Sequence, residues 1–239
     1  MEFTYKAYEG LVKLIKDEGY EFCGYHNYGE SPCVIMRHDI DLQVKKAYEM
    51  SLLEDRLGIK TTYFALLNTD FYNLASNTNS ELLKDMIARG HEIGLHFDEA
   101  RYPDLETYEA TVEKEAKILS EILEHEVTSV SMHRPSKKAL TGDWKFEGMV
   151  NTYGKTFFND FKYLSDSRMN WRENPIETIK SHEHTHIQIV THPFGYNDEP
   201  QAFEENVKSF IMAANLELYD SLLDNIRDLN DAVKREEIC

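Results

Sequence analysis

The chain has 239 residues, 41% of them hydrophobic and 12% aromatic, with a formal net charge of -17. That length supports one large α/β domain or two small ones with a substantial core, and it leaves little room for disorder. The charge argues against nucleic acid or an anionic membrane as partner, because both need a cationic face.

Taken in order, the first helix is predicted over residues 4–16, where Tyr8, Leu11, Val12 and Ile15 recur at helical spacing and Gly19 closes the segment. A loop over 24–32 leads into Val34-Ile35-Met36, the apolar composition of a buried strand. That strand runs into Arg37-His38-Asp39-Ile40-Asp41. A helix over 42–57 ends at Gly58, and a β-branched and aromatic strand follows over 61–67. Residues 68–80 read as a polar loop, 81–89 as a helix ended by Gly90, and 91–97 as a third strand. A long helix over 105–124 precedes a fourth strand over 127–132, which runs into His133-Arg134-Pro135. Beyond it the pattern loosens. Phe157-Phe158 and Tyr163-Leu164 predict two short strands, and residues 187–191 a last one before His192-Pro193. Residues 202–238 read as helical, with Leu218, Leu222, Ile226, Leu229 and Val233 on one face. With no repeat and no linker, the expectation is a single domain over 1–239 with a C-terminal helical segment from about residue 201.

The cysteines, Cys23, Cys33 and Cys239, are odd in number and form no CxxC, so they are expected to be thiols in a reducing compartment. No secretory signal is visible at Met1-Glu2-Phe3-Thr4, and no apolar run reaches the roughly 18–20 residues that cross a bilayer. A soluble, cytoplasmic protein without membrane insertion is expected.

Strands and helices alternate almost throughout, which implies a parallel sheet with helices outside it, open or closed into a barrel. The polar residues gather at the C-terminal ends of the strands. Asp39 and Asp41 follow the first, His96 ends the third, His133 and Arg134 follow the fourth, Asp166 follows a late short strand, and His192 follows the last. In (β/α) barrels that rim carries the active site. Asp39 and Asp41 are two apart, so in extended chain they point the same way. Two carboxylates side by side need a cation or a proton between them.

Carboxylate and imidazole donors suit zinc or a similar divalent ion, with about three protein ligands and an open position for water. A further carboxylate can act as base and a histidine as acid. There is no GxSxG, no phosphate loop and no dinucleotide fingerprint. Metal-assisted hydrolysis is therefore the leading reaction class. His91 reads as structural, and the alternating His182, His184 and His186 as a solvated loop or edge rather than a second metal site.

These residues resemble the motifs of NodB-type polysaccharide deacetylases, in the divergent branch found among surface-polysaccharide biosynthesis proteins. Arg37-His38-Asp39-Ile40-Asp41 resembles the first motif, which implies Asp39 as general base and Asp41 as metal ligand. Gly90-His91-Glu92-Ile93-Gly94-Leu95-His96 resembles the approach to the second, with His96 as a metal ligand. Arg134-Pro135 resembles the third, whose Arg orients the base. Asp166 with Trp171 resembles the fourth, which implies an Arg134–Asp166 pair and a substrate-side Trp171. Val190-Thr191-His192 resembles the fifth, which implies His192 as general acid. The resemblance implies a distorted (β/α) barrel of about seven parallel strands with outer helices. It also implies removal of an N-acetyl group from a sugar or sugar-containing precursor.

The family's second metal histidine lies four residues after the first, where this chain has Ala100. His133, Asp98 and Glu99 are the candidates to replace it, and His133 is favoured because neighbouring strand ends lie close enough for two imidazoles to share an ion. The expected metal set is Asp41, His96 and His133. The competing functions are hydrolysis of small non-sugar amides on the same scaffold and non-catalytic carbohydrate binding.

Overall fold

The computed structural model describes residues 1–238, so the expectation for the Cys239 thiol lies outside the described residues. By internal contacts the chain divides into two units, Met1–Asp198 and Glu199–Cys239.

The first unit is built on eight strands. They are β1 (Glu21–Phe22), β2 (Cys33–Ile40), β3 (Thr62–Leu66), β4 (Glu92–Phe97), β5 (Ser129–Met132), β6 (Val150–Asn151), β7 (Lys162–Ser165) and β8 (His186–Thr191). Every pairing is parallel, as strand–helix alternation requires. Seven strands follow the order β6-β5-β4-β3-β2-β8-β7, with β1 added to the start of β2. They curl into a half-barrel with β6 and β7 as edges, a distorted (β/α) barrel. The helices are α1 (Tyr5–Asp17), α2 (Val44–Leu57), α3 (Asn77–Ala88), α4 (Glu109–Leu123), α5 (Lys137–Thr141) and α6 (Pro175–Ser181).

β2 lies inside the sheet between β3 and β8, and all eight of its residues are buried. Its two faces meet different surroundings. The larger apolar cluster includes Val34, Met36 and Ile40 from β2 and Tyr8, Leu11 and Met50 from α1 and α2. A smaller cluster takes the other parity, Cys33 and Ile35, with Tyr25, Phe64, Phe157 and Phe161. This second set fills the half-barrel below the strand ends. Gly94 makes room for it, since a Cβ there would lie 2.4 Å from the Phe64 ring and 2.6 Å from Ser129 Oγ.

Several expected boundaries move. α3 begins at Asn77 inside the expected loop, because Ser76 caps it by accepting from the Asn79 N–H. α4 begins only at Glu109. Phe157 and Phe158, expected in a strand, lie in a π-helical turn over Thr156–Asp160. Burial of Phe157 and Phe161 in the inner cluster decides that turn over their β-propensity.

The second unit holds α7 (Phe203–Asn225) and α8 (Leu229–Ala232). The expected continuous helix breaks at Ile226, which is extended, and at Asp228, whose φ is +61°. Tyr219 ties the break together, its hydroxyl bonding the Val233 carbonyl at 2.6 Å. Among the described residues, no helix is long and apolar enough to cross a membrane.

Candidate active site at the strand C-termini

β2 alternates, so Arg37, Asp39 and Asp41 share one side of the strand. Arg37 is fully buried, an expensive place for a guanidinium unless it is paired. Its Nη2 donates to Asp39 Oδ2 at 3.1 Å and to the Tyr153 hydroxyl at 3.1 Å, while Nη1 donates to Thr152 Oγ1 at 2.5 Å. Its guanidinium carbon lies 4.8 Å from the Tyr153 ring centre and 5.4 Å from that of Phe64. Burial works against the charge, but Asp39 outweighs it and the guanidinium stays protonated. Asp39 is thus gripped through one oxygen. Its other oxygen, Oδ1, is buried and has no hydrogen-bond partner among the described residues.

Asp41, just past β2, meets two imidazoles. Its Oδ1 lies 3.3 Å from His96 Nε2 and 3.2 Å from His133 Nδ1, and those nitrogens are 3.2 Å apart. The Asp41 oxygen still has no hydrogen-bond partner of acceptable geometry. The three residues form a group that could hold a metal ion, with donor atoms within 4.8 Å of one another. Four tetrahedral donors about 2.0–2.1 Å from zinc would lie roughly 3.3–3.4 Å apart, close to this triangle. His96 Nδ1 lies 3.3 Å from the Ser131 carbonyl, so a proton held there leaves Nε2 as the free donor. Burial alone would raise the pKa of Asp41, but His133 and His96 outweigh it and hold the carboxyl well below the usual range. The donor set and its spacing fit a divalent ion.

His192 follows β8, which pairs with β2. Its Nδ1–H donates to Asp166 Oδ1 at 2.6 Å, and its backbone N–H to Asp166 Oδ2 at 3.2 Å. The Tyr196 hydroxyl donates to the same Oδ2 at 3.0 Å. These bonds fix the ring and leave Nε2 facing Asp41, 3.9 Å from its Oδ2. Burial opposes a charged imidazole, but Asp166 and then Asp41 and Asp39 outweigh it and raise the pKa to about 9.

Asp39, Asp41, His96, His133, Asp166 and His192 therefore converge, as their strand-end positions lead one to expect. Two expectations need correction. Arg134 does not pair with Asp166 or reach Asp39, because its Nη2 donates to Asp98 Oδ2 at 2.5 Å. Arg37 occupies the place beside Asp39 that Arg134 was expected to take. Asp98 and Glu99 are engaged elsewhere, Asp98 with Arg134 and Glu99 with Tyr108 and Ser136, which leaves His133 as the imidazole beside His96. Trp171 packs against the larger core, with its indole N–H buried and unpartnered among the described residues. Tyr196 was not anticipated, although Arg37 could have been found from its parity with Asp39. His91 is buried on the helix side of the sheet near Glu54 and Asp55. His182 pairs with Glu18 and His186 bonds the Gly29 carbonyl, and among the described residues neither joins a metal-type cluster.

No protein-family model matches the sequence, and no curated protein matches it. Several solved structures of CE4-family and related deacetylases are similar in fold. A Streptococcus pyogenes deacetylase in complex with acetate is 11% identical, with a TM-score of 0.43 and coverage of 86% of this chain and 86% of that one. The chitin deacetylase of the fungal pathogen Colletotrichum lindemuthianum is 11% identical, with a TM-score of 0.41 and coverage of 77% and 83%. A CE4-family pseudoenzyme from Bacillus anthracis is 10% identical, with a TM-score of 0.42 over 78% of this chain and 62% of its own. The match thus spans less than two thirds of that pseudoenzyme.

Proposed function

We propose that the protein is a metal-dependent hydrolase that removes an N-acetyl group from a sugar or sugar-containing precursor, in surface polysaccharide biosynthesis. One observation carries the reaction class. The Asp41–His96–His133 triangle lies beside Asp39, whose Oδ2 is 3.8 Å from His96 Nε2 and whose Oδ1 has no partner among the described residues, and it faces Nε2 of His192. The sugar rests on the resemblance of the sequence motifs.

Asp41, His96 and His133 would hold the ion, and one carboxylate with two imidazoles favours zinc. A bound ion supplies a Lewis acid for the amide carbonyl and lowers the pKa of water at the site. Asp39 takes a proton from the attacking water through Oδ1, while Arg37 keeps Oδ2 occupied and the carboxylate aimed. His192 carries a proton on Nε2 and gives it to the amine as the C–N bond breaks. Asp166 and Tyr196 hold that imidazole in register and keep it protonated near neutral pH.

The test combines metal analysis with acetate release. Purified protein should contain one divalent ion per chain, and the loaded protein should free acetate from N-acetylated sugars or sugar nucleotides. Release from simple amides at equal or greater efficiency would move the substrate away from sugars. A loaded protein with no amidase activity would overturn the catalytic reading.

A further inference from the structure

The triangle draws its third donor from an unusual place. β5 ends at Met132, and the N–H of His133 makes the last bond of its ladder, so the ladder does not continue to Arg134 and beyond. Arg134, next in sequence, is left-handed with φ +48°. A non-glycine residue keeps such a conformation only where its surroundings hold it.

Three consecutive residues of the β4 exit supply that hold. The Phe97 carbonyl accepts the His133 N–H at 2.8 Å. The Asp98 carboxylate accepts Arg134 Nη2 at 2.5 Å. The Glu99 carboxylate accepts both the N–H and the hydroxyl of Ser136, the latter at 2.9 Å, and is itself steadied by the Tyr108 hydroxyl. Asp98 is 4% exposed, whereas the Arg134 side chain is 63% exposed. A half-free arginine usually adds little to stability, so this pair needs another reason to be built on a buried carboxylate.

We propose that residues 97–99 clamp residues 133–136 and so position His133 as the third metal donor, with Asp98–Arg134 as the central rung. The inference rests on the metal site of the proposed function. Asp98 and Arg134 are positioning residues and touch neither ion nor substrate. Losing an outer partner of a ligand typically costs about 10–100-fold in metal affinity.

The experiment strips the full-length protein with a chelator and titrates zinc alone against a competing indicator, with circular dichroism and thermal melts of the stripped protein alongside. Arg134→Ala and Asp98→Asn should each weaken zinc binding by about 10–100-fold, with the stripped melts near wild type. The double variant should be little worse than either single one, since both break one rung. Arg134→Lys should recover part of the affinity, because it keeps the charge but not the fork. Arg101→Ala removes a second cation near Asp98 without breaking a rung, its Nε being 3.7 Å from the carboxylate, and should bind like wild type. If Asp98→Asn does not fold, the exposed Arg134 decides alone. Wild-type affinity in Arg134→Ala overturns the clamp, as does an equal loss in Arg101→Ala. A wild-type protein that binds no zinc overturns the metal reading and the clamp together, so the two failures are told apart.

Discussion

Two buried carboxylates lie on opposite sides of β2, and they are finished differently. Glu54, from α2, is fully buried on the helix side. Its Oε1 accepts the Tyr8 hydroxyl and His38 Nε2–H, the latter at 2.8 Å. Its Oε2 accepts Thr61 Oγ1 at 2.7 Å and the Tyr63 hydroxyl at 2.6 Å. Asp39, one residue after His38, points the other way with one oxygen held by Arg37 and the other left open. Both acids have a basic neighbour and both are out of water. Only the count of satisfied lone pairs separates them. A buried oxygen without a partner is costly, and one on a carboxylate that stands beside a donor cluster marks where an outside group belongs.

That contrast breaks or sharpens on four variants. Asp39→Asn should lower turnover by about 10²–10⁴-fold while zinc content and melting temperature stay close to wild type. Glu54→Ala should do the reverse. Leaving the tyrosines, Thr61 and His38 without their acceptor should cost roughly 3–5 kcal/mol in urea unfolding, with kcat of the folded fraction retained. If Asp39→Asn unfolds the protein and Glu54→Ala does not, the distinction between the two acids is wrong.

Arg37→Met removes the grip on Asp39 and keeps an unbranched side chain in the core. The lost charge-assisted bond, worth about 1.5–3 kcal/mol, should lower kcat by roughly 10–100-fold with KM little changed. A rise in KM alone would assign Arg37 to substrate binding. The smallest effect is a displaced pH limb. His192 is protonated below about pH 9, so activity should fall as pH rises through that value. Asp166→Asn removes the strongest influence favouring the cation, and burial then acts against it, so the fall should come at lower pH. An unmoved limb would show that another group is the acid.

Much of this was legible because strand parity and strand ends are local properties. Asp39 and Asp41 share a side by spacing alone, and His133 could be matched with His96 once adjacent strands were assumed. The partners of these groups were harder to find. Arg134 was expected beside the base, yet the chain turns left-handed there and sends it to Asp98. Tyr196 lies thirty residues from Asp166, and only the folded rim brings them together. β1 and β6 have two residues each, too few for a hydrophobic pattern to show. Phe157 looked like a strand residue because burial, and not backbone preference, decided its turn.

The donor triangle has a consequence for thermodynamic linkage. Asp41, His96 and His133 come from three strand ends, and more than a third of the chain separates the first from the last. An unfolded chain does not present them together, so an ion bound there acts as a removable cross-link of the native state. Free ion at one hundred times its dissociation constant would add about 2.7 kcal/mol to unfolding, or a melting shift of roughly 5–10 °C for a protein of this size. Melting temperatures measured with different divalent ions would then rank them by affinity before any substrate is known.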